Sequence, residues 1–451
     1  MIHSDLLDKY NVPVPRYTSY PTVPYWHDGI AVDKWERNFS AQFSSGNGTL
    51  SLYIHLPFCE SLCTYCGCNK KITTNHSVEV EYINALLAEW KLYRQLMPST
   101  PVVGELHLGG GTPTFFSTQH LQLLIDTILK DCIVAPDHEF SFEGHPNNTT
   151  REHLQTLFDL GFRRVSFGVQ DNDPEVQLVI NRIQPFENVE VVTAMARQIG
   201  YESVNFDLIY GLPLQTPEKM KRTLQQVISL CPDRVAFYSY AHVPWTSKGQ
   251  RLFNESHLPT TDVKMQLYRL GKSTFAAAGY VDVGMDHFAL PHDALWKAAE
   301  NNKLYRNFMG YTTQQGKLLL GLGVSAISDT GTAFAQNTKT IHDYYSDINN
   351  GILPVKKGYF LNDEDVSFRN YILNVVCNNA TTFEQHDIAL LEEYSFPLLH
   401  DLKMDGLVEF DYNGMNVTPA GRNFLRNIAS VFDLHLQKNR STTGSKFSKA
   451  V

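Results

Sequence analysis

The sequence predicts an α/β chain built on an open partial (βα)6 barrel, with an N-terminal arm and a small, mostly helical C-terminal domain. Three observations predict it. Six short β-type runs recur between residues 50 and 240: SLYIHLPF (51–58), GELHLGGG (104–111), EFSFEGHP (139–146), RVSFGVQ (164–170), SVNFDLIYG (203–211) and RVAFYSY (234–240). Longer amphipathic stretches alternate with them, among them STQHLQLLIDTILKDC, TREHLQTLFDLG and TPEKMKRTLQQVISLC, and this alternation marks repeated βα units around a parallel sheet. Six such units fall short of the eight that close a full barrel, so one side should stay open to a large substrate.

Each element has a local reason. The helical stretches begin at Ser117, Thr150 and Thr216, whose side chains can accept from the exposed amides of a first turn. Residues 1–48 read as an arm and 49–355 as the barrel with an extension that holds a helix near 261–278, YVDVGMDHFA (280–289) and RNFMGYTT (306–313). Residues 356–436 read as short helices with one hairpin, LVEFDYNGMNVTPAG, turned at Asn413-Gly414. A hairpin after helices suggests a winged-helix-like unit, normally a DNA reader, though the acidic balance of the chain favours a lid or packing role over that one. The remainder, 437–451, is a polar tail.

Composition narrows the class. At 451 residues, 43% hydrophobic and 19% charged, the chain is globular rather than fibrous or disordered. No run of about 18 apolar residues is present, and MIHSDLLDKYNVP lacks a signal-peptide layout, so a cytoplasmic protein without a membrane partner is expected. The net charge, 38 minus 47 or -9, disfavours nucleic acid, which asks for a concentrated basic surface. No exposed apolar stripe stands out, and a monomer is expected.

Four of the seven cysteines crowd into Cys59 to Cys68, which is metal-site rather than disulfide usage. Cys132, Cys231 and Cys377 stand alone in apolar or helical surroundings and read as ordinary buried thiols. Cys59-x3-Cys63-x2-Cys66 follows the first strand, in a loop able to wrap three thiolates around a compact cluster. A cubane bound by three cysteines keeps one iron open to an outside ligand. The alternatives are zinc, which normally takes four ligands in paired C-x2-C arms, and plain loop cysteines. Cys59, Gly109 to Thr112, Glu143, Gln170, Asp207 and Ala241 all fall where strands end, the face at which such sheets gather their chemistry.

The C-x3-C-x2-C spacing with an aromatic, Tyr65, before the third cysteine resembles the radical S-adenosylmethionine superfamily, and the glycine-rich strand end Gly109-Gly110-Gly111-Thr112-Pro113 matches that superfamily's element. Over nearly the whole chain, PRYTSYPT (15–22), CESLCTYCGCNK (59–70), HLGGGTPT (107–114), GVQD, NFDLIYGLP, YAHVP, GMDHFA and GVSAIS resemble the oxygen-independent coproporphyrinogen III oxidases. The resemblance implies a partial barrel of the radical S-adenosylmethionine type and a 4Fe-4S cluster on Cys59, Cys63 and Cys66. It implies S-adenosylmethionine cleaved to a 5'-deoxyadenosyl radical. The reaction is then loss of carbon dioxide from two propionates of coproporphyrinogen III, leaving vinyl groups without oxygen.

Carried over position by position, the resemblance makes Tyr53, Gly110, Glu143 and Ile327 neighbours of the cofactor at the cluster. Tyr65, Gly111, Thr112, Gln170, Arg182, Asp207 and Ala241 match positions lining a second S-adenosylmethionine. A carboxylate such as Glu143 or Asp207 can accept from an ammonium or ribose, and Arg182 can pair a carboxylate bidentately. Cys68 reads as a non-ligand beside the substrate or second cofactor, since a fourth ligand would close the open iron. Tyr17 and Tyr20, with Cys68 the candidate catalytic residues, lie far upstream of the barrel, where the N-terminal segment either folds back across the open side, letting Arg16 meet a propionate, or packs on the surface as an extended arm. An electron donor of low potential and a terminal acceptor are required partners. One departure stands out: Gly144-His145-Pro146-Asn147-Asn148 replaces the Val-Asp-Pro-Arg sequence of better-known enzymes, removing an acid and a base. The rival reading is a haem chaperone on the same radical fold, which typically lacks RYTSYPT and carries a phenylalanine-rich sequence in place of Gly67-Cys68-Asn69-Lys70.

Overall fold

In a computed structural model of the chain, residues 4–245, 247–314, 318–439 and 447 are described. Of the tail expected at 437–451, residues 440–446 and 448–451 lie outside the described residues. The chain packs as two compact units, one of residues 27–279 and 316–358, the other of 1–26, 280–315 and 359–451. Residues 280–315, which the sequence attaches to the barrel, thus pack with the N-terminal segment and the C-terminal helices.

The first unit holds all six expected strands: β1 (Thr49–Leu56), β2 (Val102–Gly110), β3 (Ile133–Gly144), β4 (Arg164–Gln170), β5 (Ser203–Tyr210) and β6 (Arg234–Ser239). They pair in parallel in chain order, with Tyr53 opposite His107 and Leu56 opposite Gly110 at the β1–β2 end that matters most. Seven of the eight β1 residues are buried, as a strand covered on both faces requires. A strand that the sequence pattern did not reveal, β7 (Leu319–Leu322), pairs in parallel with the outer edge of β1. All four of its residues are buried, so it shows no alternation to read. β8 (Ile327–Asp329) and β9 (Ala333–Asn337) follow antiparallel, and Lys357 and Gly358 then pair with Asp28 and His27. A Cβ on Gly321 would sit 2.4 Å from the Ile327 carbonyl, so the close β7–β8 approach needs glycine there. β6 and β7 bound the parallel run without pairing to each other, so the sheet is open.

Helices cover this sheet by apolar stripes. α1 (Val78–Gln95) precedes β2, α2 (Thr118–Leu129) follows it, α3 (Arg151–Asp159) follows β3 and α4 (Pro217–Ser229) follows β5. On α2, Leu121, Leu124, Ile125 and Ile128 are buried at helical spacing. The three expected N-caps form: Ser117, Thr150 and Thr216 accept from the amides of His120, His153 and Lys219, each worth about 1 kcal/mol. Of the three lone cysteines expected to be buried, Cys377 is; Cys132 is half-buried and Cys231 exposed. Glu89 is one of several charged residues that sit inside. Glu89 of α1 accepts from the Gly323 amide, the Asn337 Nδ2 and the Tyr344 hydroxyl, each at 2.7 Å, and burial pushes its carboxyl up to about 7.

In the second unit, Ala380–Thr382, Gly414–Val417 and Val408–Phe410 form a three-stranded antiparallel sheet beside the helix Asp363–Asn378. The expected hairpin is present, but its turn is organised by Asp411, whose Oδ1 accepts from the amides of Asn413 and Gly414. Gly414 serves the sheet: its Cβ would lie 2.4 Å from the Thr381 carbonyl. The N-terminal segment packs in this unit, with the Arg426 guanidinium donating to the Pro15 carbonyl at 3.3 Å.

Candidate functional site

The site begins where β1 runs out. The 57–73 loop folds back on itself, with the Lys71 amide donating to the Pro57 carbonyl at 2.8 Å and the Thr73 amide to the Cys59 carbonyl at 2.9 Å. The glycine-rich end of β2 lies directly on this loop: the Gly111 amide donates to the Leu56 carbonyl and the Thr112 amide to the Phe58 carbonyl, at 2.8 and 2.9 Å. Side chains would prevent it. A Cβ on Gly111 would stand 2.6 Å from Pro57, and one on Gly110, at φ +110°, 2.6 Å from the His55 ring.

A cavity of about 440 Å³ opens there. Its lining brings together Cys59, Cys63, Tyr65, Cys66, Cys68, Gly110, Gly111, Thr112, Glu143, Gln170, Arg182 and Asp207, supplied by the cluster loop, by β2 to β5 and the turns that follow them and, for Arg182, by the segment between the helices Pro174–Val179 and Phe186–Ile199. Among the described residues, no three His, Cys, Asp or Glu side chains converge on a single ion. Three thiols on one wall fit a cubane, whose cysteines bind separate irons. The sulfurs also receive hydrogen bonds of the kind that tune a cluster: Thr112 Oγ1 donates to Cys59 Sγ at 3.4 Å and Arg182 Nη1 to Cys63 Sγ at 3.7 Å.

Electrostatics differ around the wall. Burial pushes the Cys59 thiol up to about 11. Cys66 is held below the ordinary thiol range, first by a hydrogen bond from Cys68 and then by Lys70, while that shared bond raises Cys68. Lys70 Nζ also donates to the Cys66 carbonyl at 3.0 Å. Glu143 accepts from the Gly110 amide at 3.3 Å. Asp207 is pushed up to about 6, chiefly by burial and then by the Glu143 charge, while Ser166 Oγ and Asn205 Nδ2 donate to it at 2.9 Å. The wall thus offers carboxylates, a guanidinium and backbone amides to a zwitterionic ligand.

Five singled-out residues lie outside this lining. Tyr53 is buried in β1, its hydroxyl bonded to His55 Nδ1 at 3.0 Å and its ring stacked on His107. Ile327 opens β8. Ala241 follows β6, its carbonyl accepting from Gln250 Nε2 at 3.2 Å. Tyr17 and Tyr20 lie in the second unit, both 2% exposed. Tyr17 donates to Asp433 Oδ2 at 3.1 Å, and the Tyr20 hydroxyl accepts from the Leu434 amide at 3.1 Å. Sequence reasoning missed Gln250, which ties Ala241 to the cluster loop, and His55, whose Nε2 meets the Asn69 carbonyl at 2.8 Å. Neither sits in a spacing that signals a role.

Residues 53–227 match the family model of the radical SAM superfamily. The chain is 38% identical to the oxygen-independent coproporphyrinogen III oxidase of Pseudomonas aeruginosa, over 99% of this chain and 98% of that protein. It is also 38% identical to the enzyme of the same name from Escherichia coli, over 96% of this chain and 95% of the other. The solved structure of an Escherichia coli coproporphyrinogen III oxidase, described as a radical SAM enzyme, superposes with a TM-score of 0.89 at 37% identity, covering 93% of this chain and 98% of that one.

Proposed function

This chain belongs to the oxygen-independent coproporphyrinogen III oxidases of the radical S-adenosylmethionine superfamily, and from that premise we infer how its residues share the reaction. The enzyme converts two propionate side chains of coproporphyrinogen III to vinyl groups, giving protoporphyrinogen IX. When bound, the 4Fe-4S cluster supplies the electron that splits S-adenosylmethionine into methionine and a 5'-deoxyadenosyl radical. Each propionate gives up one β-hydrogen atom to that radical, then carbon dioxide and one electron.

In this reading Cys59, Cys63 and Cys66 hold the cluster and Cys68 stays off it. Glu143, Gly110, Tyr53 and Ile327 serve the cofactor at the open iron. Tyr65, Gly111, Thr112, Gln170, Arg182, Asp207 and Ala241 serve a second S-adenosylmethionine. Glu143 and Asp207 accept from ammonium or ribose groups, Arg182 takes a carboxylate, and the glycines let the backbone approach. Tyr17 and Tyr20 act on the substrate side of the reaction. A low-potential donor and a terminal acceptor carry the two electrons, in a cytoplasmic monomer. The observation that supports this assignment best is the gathering of the three cysteines with nine of the other named residues around one cavity. Replacing Cys59, Cys63 and Cys66 singly by Ala tests it: each variant should fail to hold iron after anaerobic reconstitution, and a stable full cluster in any of them would refute the ligand set.

A further inference from the structure

The departure at Gly144-His145-Pro146-Asn147-Asn148 builds a brace. Asn148 Nδ2 donates at 2.6 Å to Glu60, the residue after Cys59, and Asn147 Nδ2 donates at 2.9 Å to the carbonyl of Ile183, the residue after Arg182. His145 lines the same cavity as Glu60 and Ile183. Its orientation is fixed by one bond, from the Asn147 amide to Nδ1 at 3.1 Å. A ring nitrogen that accepts carries no proton. Burial, with the nearby Arg182 charge, holds the ring down to about 3, so the imidazole is neutral and its one proton is on Nε2. Among the described residues, nothing accepts from that Nε2–H.

Arg182 is in a matching position. Nη1 donates to Cys63 Sγ and Nη2 to the Gly168 carbonyl at 2.6 Å, but its buried Nε has no partner. Two N–H donors lacking acceptors, beside a guanidinium charge on one cavity wall, ask for an anionic oxygen ligand. The aspartate of the better-known sequence could not donate to one. A neutral imidazole can, and it leaves the Arg182 charge to the ligand.

We propose that His145 is a binding residue of this chain, its Nε2–H and the Arg182 guanidinium together holding the carboxylate of an S-adenosylmethionine in this cavity. The assignment rests on the reading that this cofactor occupies the cavity. Anaerobic calorimetry on cluster-loaded wild type, H145F and H145Q tests it, each protein titrated with S-adenosylmethionine and with 5'-methylthioadenosine, which lacks the amino-acid end. H145F should bind S-adenosylmethionine about tenfold more weakly, the scale of a lost hydrogen bond to a charged group, and 5'-methylthioadenosine as well as wild type does. H145Q, which restores an N–H donor, should recover to within about threefold. Equal S-adenosylmethionine affinity in wild type and H145F overturns the assignment, as does a parallel loss of both ligands. A wild type that binds no S-adenosylmethionine overturns the cofactor reading itself. Should H145F fail to load its cluster, H145N, whose amide stops short of the Nε2 position, is titrated in its place.

Discussion

Gln250 donates from Nε2 to the backbone carbonyl of Tyr65 at 3.0 Å, the residue before the third cysteine. The same nitrogen reaches the Ala241 carbonyl, and Oε1 accepts from the Val243 amide at 2.6 Å. One side chain, 2% exposed, thus latches the loop after β6 onto the cluster loop. Gln250→Leu keeps the volume and strands these buried groups, so it should cost about 1–3 kcal/mol. Denaturant unfolding reads the cost, and iron per chain after gel filtration reads the loop. Unchanged stability and iron retention would show that the latch does nothing.

Cys68 lies outside the ligand spacing yet shares a hydrogen bond with Cys66. Cys68→Ser should keep its full iron content and cluster absorbance while turnover falls by roughly 100-fold or more, the range of a lost acid–base or radical-handling group. Loss of the cluster in this variant would instead make Cys68 a ligand.

Asp207 predicts a pH dependence. Its folded carboxyl titrates near 6, so it is charged at pH 7.5 and mostly protonated at pH 5.5. A group that accepts from a ribose or ammonium is weaker when protonated, and S-adenosylmethionine affinity should fall about fourfold across that interval. The Asp207→Asn variant should bind weakly at both values without the slope. An identical slope in wild type and variant would assign it to another group.

Glu89 carries a stability signature of the opposite sign to the usual carboxylate. Burial raises its carboxyl from 4.5 to about 7, so the folded state holds the proton more tightly than the unfolded chain. That contribution is fully present below about 4.5 and is lost as pH climbs to about 7, a difference of about 3 kcal/mol. Denaturant midpoints at several pH values for wild type and Glu89→Gln should diverge over this window, with the variant flatter. Parallel curves would mean that Glu89 is ionised when folded.

The strands β1 to β6 and the caps at Ser117, Thr150 and Thr216 were legible because period and end chemistry are local properties of a sequence. β7 was not, since four buried residues carry no alternation. The cysteine spacing declared a cluster, and the strand-end carboxylates declared a polar wall. Gln250 and His55 stayed hidden because a single amide or imidazole acquires its meaning only from the carbonyl it meets. Tyr17 was named from its motif, but its partner Asp433 is 416 residues away, a pairing that only the folded chain reveals. His145 looked like the loss of a charge, and its fixed tautomer depends on a backbone amide two residues on.

The most direct measurement is an anaerobic assay of the reconstituted enzyme with reductant, S-adenosylmethionine and coproporphyrinogen III. Protoporphyrinogen IX should form with one 5'-deoxyadenosine for each propionate converted. Tight haem binding with no vinyl product and no 5'-deoxyadenosine would contradict the account.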